Sequence, residues 1–179
     1  MDSGFDTLKP LTPPTIAIAL VDELRRGTGL IIRIGDAQFT AKSEDSGSVG
    51  GHFRHNLNFV EAVLNGVKLG RIDYAKRVRD PRIETDRAYT GVRFNEAIER
   101  LMHLTASDAA SEVSVLSEVN SGIAYRSSVG RELEFAHSHT VHHHALIAEK
   151  LRSIGVPIDA DFGVAPSTVR FRKESFEAV

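Results

Sequence analysis

The segment FAHSHTVHHHALIA, Phe135 to Ala148, holds five of the chain's eight histidines between His137 and His144. An imidazole can ligate a divalent cation, move protons near neutral pH, or hydrogen-bond within a core. Spacing decides which of these the cluster can do. On a helix, at about 100° per residue, His139, His142 and His143 share a face with Phe135, Ala136, Leu146 and Ile147. That face is apolar and should point inward. His137 and His144 fall on the other side with Glu134 and read as ordinary solvent-facing residues. His139 and His143 form HxxxH, the i, i+4 spacing with which a helix grips one metal ion. The bland alternative is a pair of core histidines satisfied by neighbouring hydrogen bonds. Three imidazoles on one apolar face strain that alternative, because each brings a polar group that needs a partner.

A second group lies in GGHFRHNLNFVEAV, where His52 and His55 form HxxH near the start of another helical segment. Bundles build metal sites from side chains on facing helices, so HxxH and HxxxH could converge. The strongest apolar stripe of this segment, Phe53, Leu57, Val60 and Leu64, lies roughly opposite His55, whereas Phe59 and Ala62 lie near it. Either the helix is buried on two sides or His55 faces out, and periodicity leaves both open. Other catalytic signatures are missing. There is no HExxH, HxxEH, GxSxG, P-loop or GxGxxG, and GVAPST reads as a turn with Ser167 or Thr168 available for capping.

Four helices should position these residues. The first begins at LTPPTIAIALVDELRR, with Thr12 as cap and Pro13 at the first helical position; it is continued as helix through GLIIRIG, although Gly27 and Gly29 weaken it and local propensity suits a strand. TAKSEDSGSVGG is a loop. The second helix runs from about Ser48 to Val67, ended by Asn65-Gly66. A charged connection, KLGRIDYAKRVRDPRIETD, is broken at Pro81 and contains Tyr74, Arg77 and Glu84, which could close over a site but read first as surface or salt-bridge residues. The third helix is capped by Asp86 and carries Phe94, Ala97, Ile98, Leu101 and Leu104 on one side. EVSVLSEV alternates and NSG is turn-like, which predicts a small β excursion. The fourth helix runs from about Ser128 to Ser153. The expected class is all-α: a four-helix bundle with a minor β element between the third and fourth helices, in one domain over 1–179. Residues 1–14 are expected to be a loose leader and 156–179 a tail packed on the bundle. The long links after the second and third helices leave room for non-adjacent neighbours.

Composition bounds the function. The 179 residues are 41% hydrophobic and 26% charged, with a formal charge of −2, an ordinary globular mixture that advertises no nucleic-acid partner. With no cysteine, disulfides, thiolate ligands and a cysteine nucleophile are excluded, and a zinc-type site must use histidine and carboxylate. That fits a reducing cytoplasm. No apolar run reaches a membrane span, and the first residues do not read as a signal peptide.

Over roughly 15–170 the chain resembles the DinB-like (YfiT-like) superfamily of metal-binding four-helix bundles. The resemblance is carried by SVGGHFRHNLNFVEAVLNG, IDYAKRVRDPRIETD, RELEFAHSHTVHHHALIAEKL and DFGVAPSTVRF. It implies a metal held by the second histidine of HxxH, His55, together with His139 and His143. The related domain of the sulfoxide synthases of ergothioneine biosynthesis adds a glutamate where Ala145 stands here, and the resemblance does not extend to their second, catalytic domain. Sulfoxide synthesis is therefore not expected. Other members are bacillithiol or mycothiol transferases and a mycothiol-dependent maleylpyruvate isomerase. The resemblance thus implies a divalent ion (zinc, nickel or iron) on a three-histidine site, a low-molecular-weight thiol or other small molecule as substrate, and a homodimer. Glu132, about 20° from His139 two turns earlier, and His142 and His52 are candidate bases or partners of the ligands.

Three readings follow, in order of preference. The first is a metal-dependent enzyme of the thiol transferase or hydrolase-like type. The second is a binding module whose metal is structural or sensory, as in a stress response. The third is a bundle whose histidines hold no metal.

Overall fold

The computed structural model describes residues 12–42, 47–76 and 78–177. Most of the expected leader and Arg77 lie outside the described residues.

Four long helices form the body: α1 (Thr15–Arg33), α3 (Val49–Leu69), α5 (Arg87–Met102) and α7 (Val129–Ser153). Short helices α2 (Asp36–Thr40), α4 (Arg82–Thr85) and α6 (Ala106–Ala110) lie in the connections, and α8 (Pro166–Glu177) follows α7. α1 packs on α5 and α7, and α3 packs on the same two, so α1 sits diagonal to α3 and α5 diagonal to α7. Only the α3-to-α5 link joins true neighbours. The core is continuous, with Leu20, Leu24, Phe39, Phe53, Leu57 and Phe94 among its fully buried members.

The expected β element is present. β2 (Glu112–Leu116) and β3 (Ala124–Ser128) pair antiparallel, with Glu112 opposite Ser128 and Leu116 opposite Ala124. A two-residue strand, β1 (Arg71–Ile72), adds a parallel edge to β2. β1 falls inside the charged connection, where alternation is too short to read.

Helix boundaries show what local rules miss. α1 starts at Thr15, capped by Pro14 with no side-chain cap bond, not by Thr12. Pro14 disfavours helical geometry at the residue before it, so Pro13 cannot be the first helical residue. The helix does run on through Gly27 and Gly29. α3 is capped by Ser48, whose hydroxyl accepts from the Gly51 amide. It passes straight through Asn65-Gly66 and ends at Gly70, φ 64°. Gly66 serves packing instead: a Cβ there would lie 2.2 Å from Ile72 Cγ1. α5 and α7 begin as expected, at Asp86 and Ser128, which accept from the Tyr89 and Arg131 amides. Leu104 is buried but lies beyond the end of α5. The stretch expected as a turn after Gly163 becomes α8, with Pro166 as its first residue, a position where proline's missing donor costs nothing.

The start of α3 is held by α4. A Cβ on Gly50 would lie 2.2 Å from the Glu84 carbonyl oxygen, so only glycine lets the two backbones approach. Arg54 closes the contact with a 2.8 Å ion pair to the Glu84 carboxylate, which Lys42 also reaches at 3.4 Å. Glu84 is thus a clamp on the helix that carries His52 and His55. Tyr74 is not a surface residue of the connection; it is buried against Phe59.

Candidate metal centre

α3 and α7 run antiparallel, because His52 meets His143 while Phe59 meets His139 and Phe135. This registers the two histidine motifs against each other. One imidazole nitrogen from each of His55, His139 and His143 lies within 4.8 Å of the others. The ring centroids are 5.2 Å apart for His55 and His139, 4.7 Å for His55 and His143, and 4.5 Å for His139 and His143. The ambiguity over His55 resolves in favour of a helix buried on two sides. Phe53, Leu57, Val60 and Leu64 fill one side of α3, and Asn56 and Phe59 are buried on the flank that bears His55. His55 and His139 remain half-buried and His143 is 7% exposed.

His52 stands beside this group. Its Nδ1 lies 3.1 Å from His143 Nδ1, so one ring donates and the other accepts. That bond occupies Nδ1 of His143 and leaves Nε2 for another task. Burial, followed by the neighbouring imidazoles of His139, His55, His52 and His142, pushes the His143 pKa down to about 3. His143 is therefore neutral at physiological pH, the state in which imidazole is a ligand. His52 is lowered too, by burial first and then by Lys150 and His142. His142 is exposed, its ring 5.3 Å from His143 and 6.5 Å from His139.

Glu132 is buried, and both its carboxylate oxygens are engaged. Tyr74 donates to Oε2 at 2.6 Å and Ser127 donates to Oε1 at 2.6 Å. Burial and the bond to Glu132 push the Tyr74 hydroxyl well above its usual pKa. Phe59 lies between this pair and the imidazoles, stacked on Tyr74 at 5.0 Å and 4.0 Å from the His139 ring. The proximity on the helical wheel was real, but two turns of helix and an aromatic layer intervene.

The surface assignment of His137 and His144 is overturned. His137 is 8% exposed and His144 is fully buried. α7 packs on both α1 and α3, so two of its flanks are internal, whereas a single apolar face allows one. Sequence reasoning also missed the partner of His144. His144 Nδ1 lies 2.6 Å from Glu23 Oε1, and Arg26 stands 3.1 Å from the other oxygen of Glu23. Burial holds His144 below the ordinary histidine range despite Glu23. Burial alone would raise Glu23, but its bonds to His144 and Arg26 outweigh that and hold it low. Facing a carboxylate at this distance, His144 Nδ1 carries the hydrogen and donates to Glu23. Phe162 stacks on the His144 ring at 4.5 Å. The available signal was Glu23 itself, an acid bordering the stripe Leu20, Leu24 and Gly27.

Comparison with solved structures places the architecture. A DinB-like protein from Bacillus subtilis aligns with a TM-score of 0.60 at 18% identity, covering 81% of this chain and 97% of that one. A DinB family member from Shewanella denitrificans aligns with a TM-score of 0.51 at 13% identity, covering 84% of each. No protein-family profile and no curated protein matches the sequence. The fold is that of DinB-like proteins. No helix among the described residues is long and apolar enough to cross a membrane.

Proposed function

We propose that His55, His139 and His143 hold one divalent cation between α3 and α7, and that the protein is a metal-dependent enzyme of the thiol transferase or hydrolase-like type. The observation that carries this is the convergence of the three ligand nitrogens within 4.8 Å. The donor set fits the group. Neutral imidazoles suit zinc, nickel or iron, and a chain without cysteine offers no competing thiolate. A cation so held supplies Lewis acidity to a carbonyl or water, or a seat for a thiolate brought by the substrate.

The surrounding side chains do the positioning. His52 fixes the ring orientation of His143 through the Nδ1 contact, as outer partners of metal-bound histidines do. Tyr74 and Ser127 hold Glu132 and thereby anchor the first turn of α7. Phe59 and Phe135 pack against the His139 ring and limit its rotation. His142, exposed beside the cluster, is the imidazole best placed to exchange protons with solvent.

Three protein ligands leave coordination positions open, the pattern of catalytic rather than structural sites. A non-catalytic binding module would be favoured by a fourth side chain filling the site. The two candidates point elsewhere: His52 Nδ1 to His143, and Glu132 to Tyr74 and Ser127. This support ranks the enzyme above the module. A reducing cytoplasm, a homodimer through bundle faces and a small thiol as co-substrate complete the proposal. Metal analysis of freshly purified protein, then a screen of low-molecular-weight thiols with electrophiles, tests it. About one metal per chain and thiol-dependent turnover are expected. Metal without turnover would leave the binding module, and a chain that takes up no divalent ion would end both.

A further inference from the structure

α1 gives one side to the core and leaves the opposite side bare. Leu20, Leu24 and Ile31 are buried, whereas Thr15, Ile18, Asp22, Arg25, Gly29 and Ile32 are all exposed. These exposed residues recur at alternate steps of three and four, a stripe about 100° wide on the helical wheel. That is the spacing with which two helices lie along one another. A helix face meant for water would be polar throughout, yet Ile18 is 39% and Ile32 76% exposed. A lone exposed isoleucine is ordinary; two on one stripe are a surface feature. α5 adds to it. Arg87, at the start of α5, donates to the Ile31 carbonyl at 2.8 Å, so α1 and α5 run antiparallel and Met102 comes level with Ile18. Met102 is 38% exposed.

The stripe is complementary to itself. Turn a second α1 antiparallel about a two-fold axis at the level of Glu23 and Leu24. Asp22 then meets Arg25 of the second copy, and Arg25 meets its Asp22. Ile18 comes over Gly29 of the second copy, where the surface is lowest: a methyl built on Gly29 would touch nothing within 4 Å. Ile32 lies along Thr15. Each contact occurs twice, as an isologous interface requires. Within one chain Asp22 and Arg25 stand 3.6 Å apart at the surface, a loose pair that water screens. Across the axis each guanidinium would lie between two carboxylates in a ring of alternating charge. Parallel pairing would instead set Asp22 against Asp22 and Arg25 against Arg25. The isoleucines supply the buried apolar area, and the charges choose direction and register.

We infer that the α1 stripe is the interface between two copies of this chain, paired antiparallel through Ile18 with Gly29 and Asp22 with Arg25. The inference rests on the homodimer proposed above and names its face and its symmetry.

Sedimentation of the full chain at micromolar concentration tests it, with three variants at exposed positions. Wild type should sediment as a dimer. Asp22→Arg leaves only cations at the axis and Arg25→Asp only anions, so each alone should weaken self-association about a hundredfold, the scale of juxtaposed like charges. An equimolar mixture of the two should regain the dimer mass, because each then supplies the charge the other lacks. Asp22→Arg with Arg25→Asp in one chain should self-associate like wild type, which also shows that the reversals leave the fold intact. Direction is read separately. The chain has no cysteine, so Ile18→Cys mixed with Gly29→Cys should form an intermolecular disulfide under mild oxidation, and Ile18→Cys alone should not. Undiminished dimers in both single reversals, a mixture that stays monomeric, or self-linking of Ile18→Cys overturns the inference while leaving a homodimer by another face. A single-chain mass for wild type overturns both.

Discussion

Both carboxylate oxygens of Glu132 are taken, by Tyr74 and Ser127, which makes it an anchor before it is a base. The residues nearest the proposed metal are all imidazoles, and they should separate by substitution. Replacing His55, His139 or His143 by Ala should abolish stoichiometric metal binding in the purified protein. His52→Ala removes only the outer partner of His143 and should weaken affinity about 10–100-fold, with His142→Ala milder still. Full occupancy in His55→Ala together with loss in His52→Ala would move the ligand by one turn. His144→Ala should retain metal yet lose about 2–3 kcal/mol of stability in urea unfolding, because Glu23 stays buried with Arg26 alone. The acid response of the metal-free protein follows from His143. Its folded pKa, about 3, lies below the unfolded value near 6.5. The unfolded chain therefore binds the proton first. The stability His143 contributes is complete above about pH 6.5 and is lost as pH falls toward 3, at about 1.4 kcal/mol per pH unit at most. In the presence of chelator the urea midpoint should drop between pH 7 and pH 5, and less so in His143→Gln. A midpoint that rises on acidification would contradict the buried neutral imidazole.

At the scale of elements, two glycines of α1 make a matched experiment. Gly29 is exposed, and a methyl group added there would meet nothing within 4 Å, so Gly29→Ala should gain about 0.5–1 kcal/mol of helix propensity. Gly27 is buried, and its Cβ would lie 2.8 Å from His144 Nε2 and 3.2 Å from Phe53 Cε1. The His144 ring cannot easily retreat, being tied to Glu23 and stacked on Phe162. Gly27→Ala should therefore destabilise despite the same propensity gain. Thermal melts of the two variants should shift in opposite directions; a stabilised Gly27→Ala would mean the α1–α7 contact is looser than drawn.

For the whole molecule, the proposed ion ties α3 to α7, neighbours in the bundle that are far apart in the chain. An ion bound only by the folded state stabilises by mass action, about 2.7 kcal/mol at one hundred times its dissociation constant. Adding zinc should raise the melting temperature, chelator should lower it again, and His139→Ala should show neither response. An equal shift in that variant would place the ion elsewhere. Sedimentation of the loaded protein at micromolar concentration checks the proposed homodimer, for which a single-chain mass would be the contrary result.

The sequence by itself determined the four long helices, the β excursion at EVSVL and the separate HxxH and HxxxH motifs, since these rest on periodicity, capping and spacing within about 25 residues; that the two motifs meet was only what the family resemblance implied. Asp86, Ser48 and Ser128 announce helix starts because a cap is a bond between residues three apart. What only the tertiary structure decided involves residues that meet across the chain. His55 faces His139 because Asn56 and Phe59 bury a second side of α3, which one apolar stripe cannot reveal. His144 turned inward because α1 packs on a flank of α7 that polarity had marked as solvent. Asn65-Gly66 failed to end α3 because Ile72 needs the space above Gly66. In each case the local signal was genuine, and burial by an element distant in sequence supplied the larger free energy.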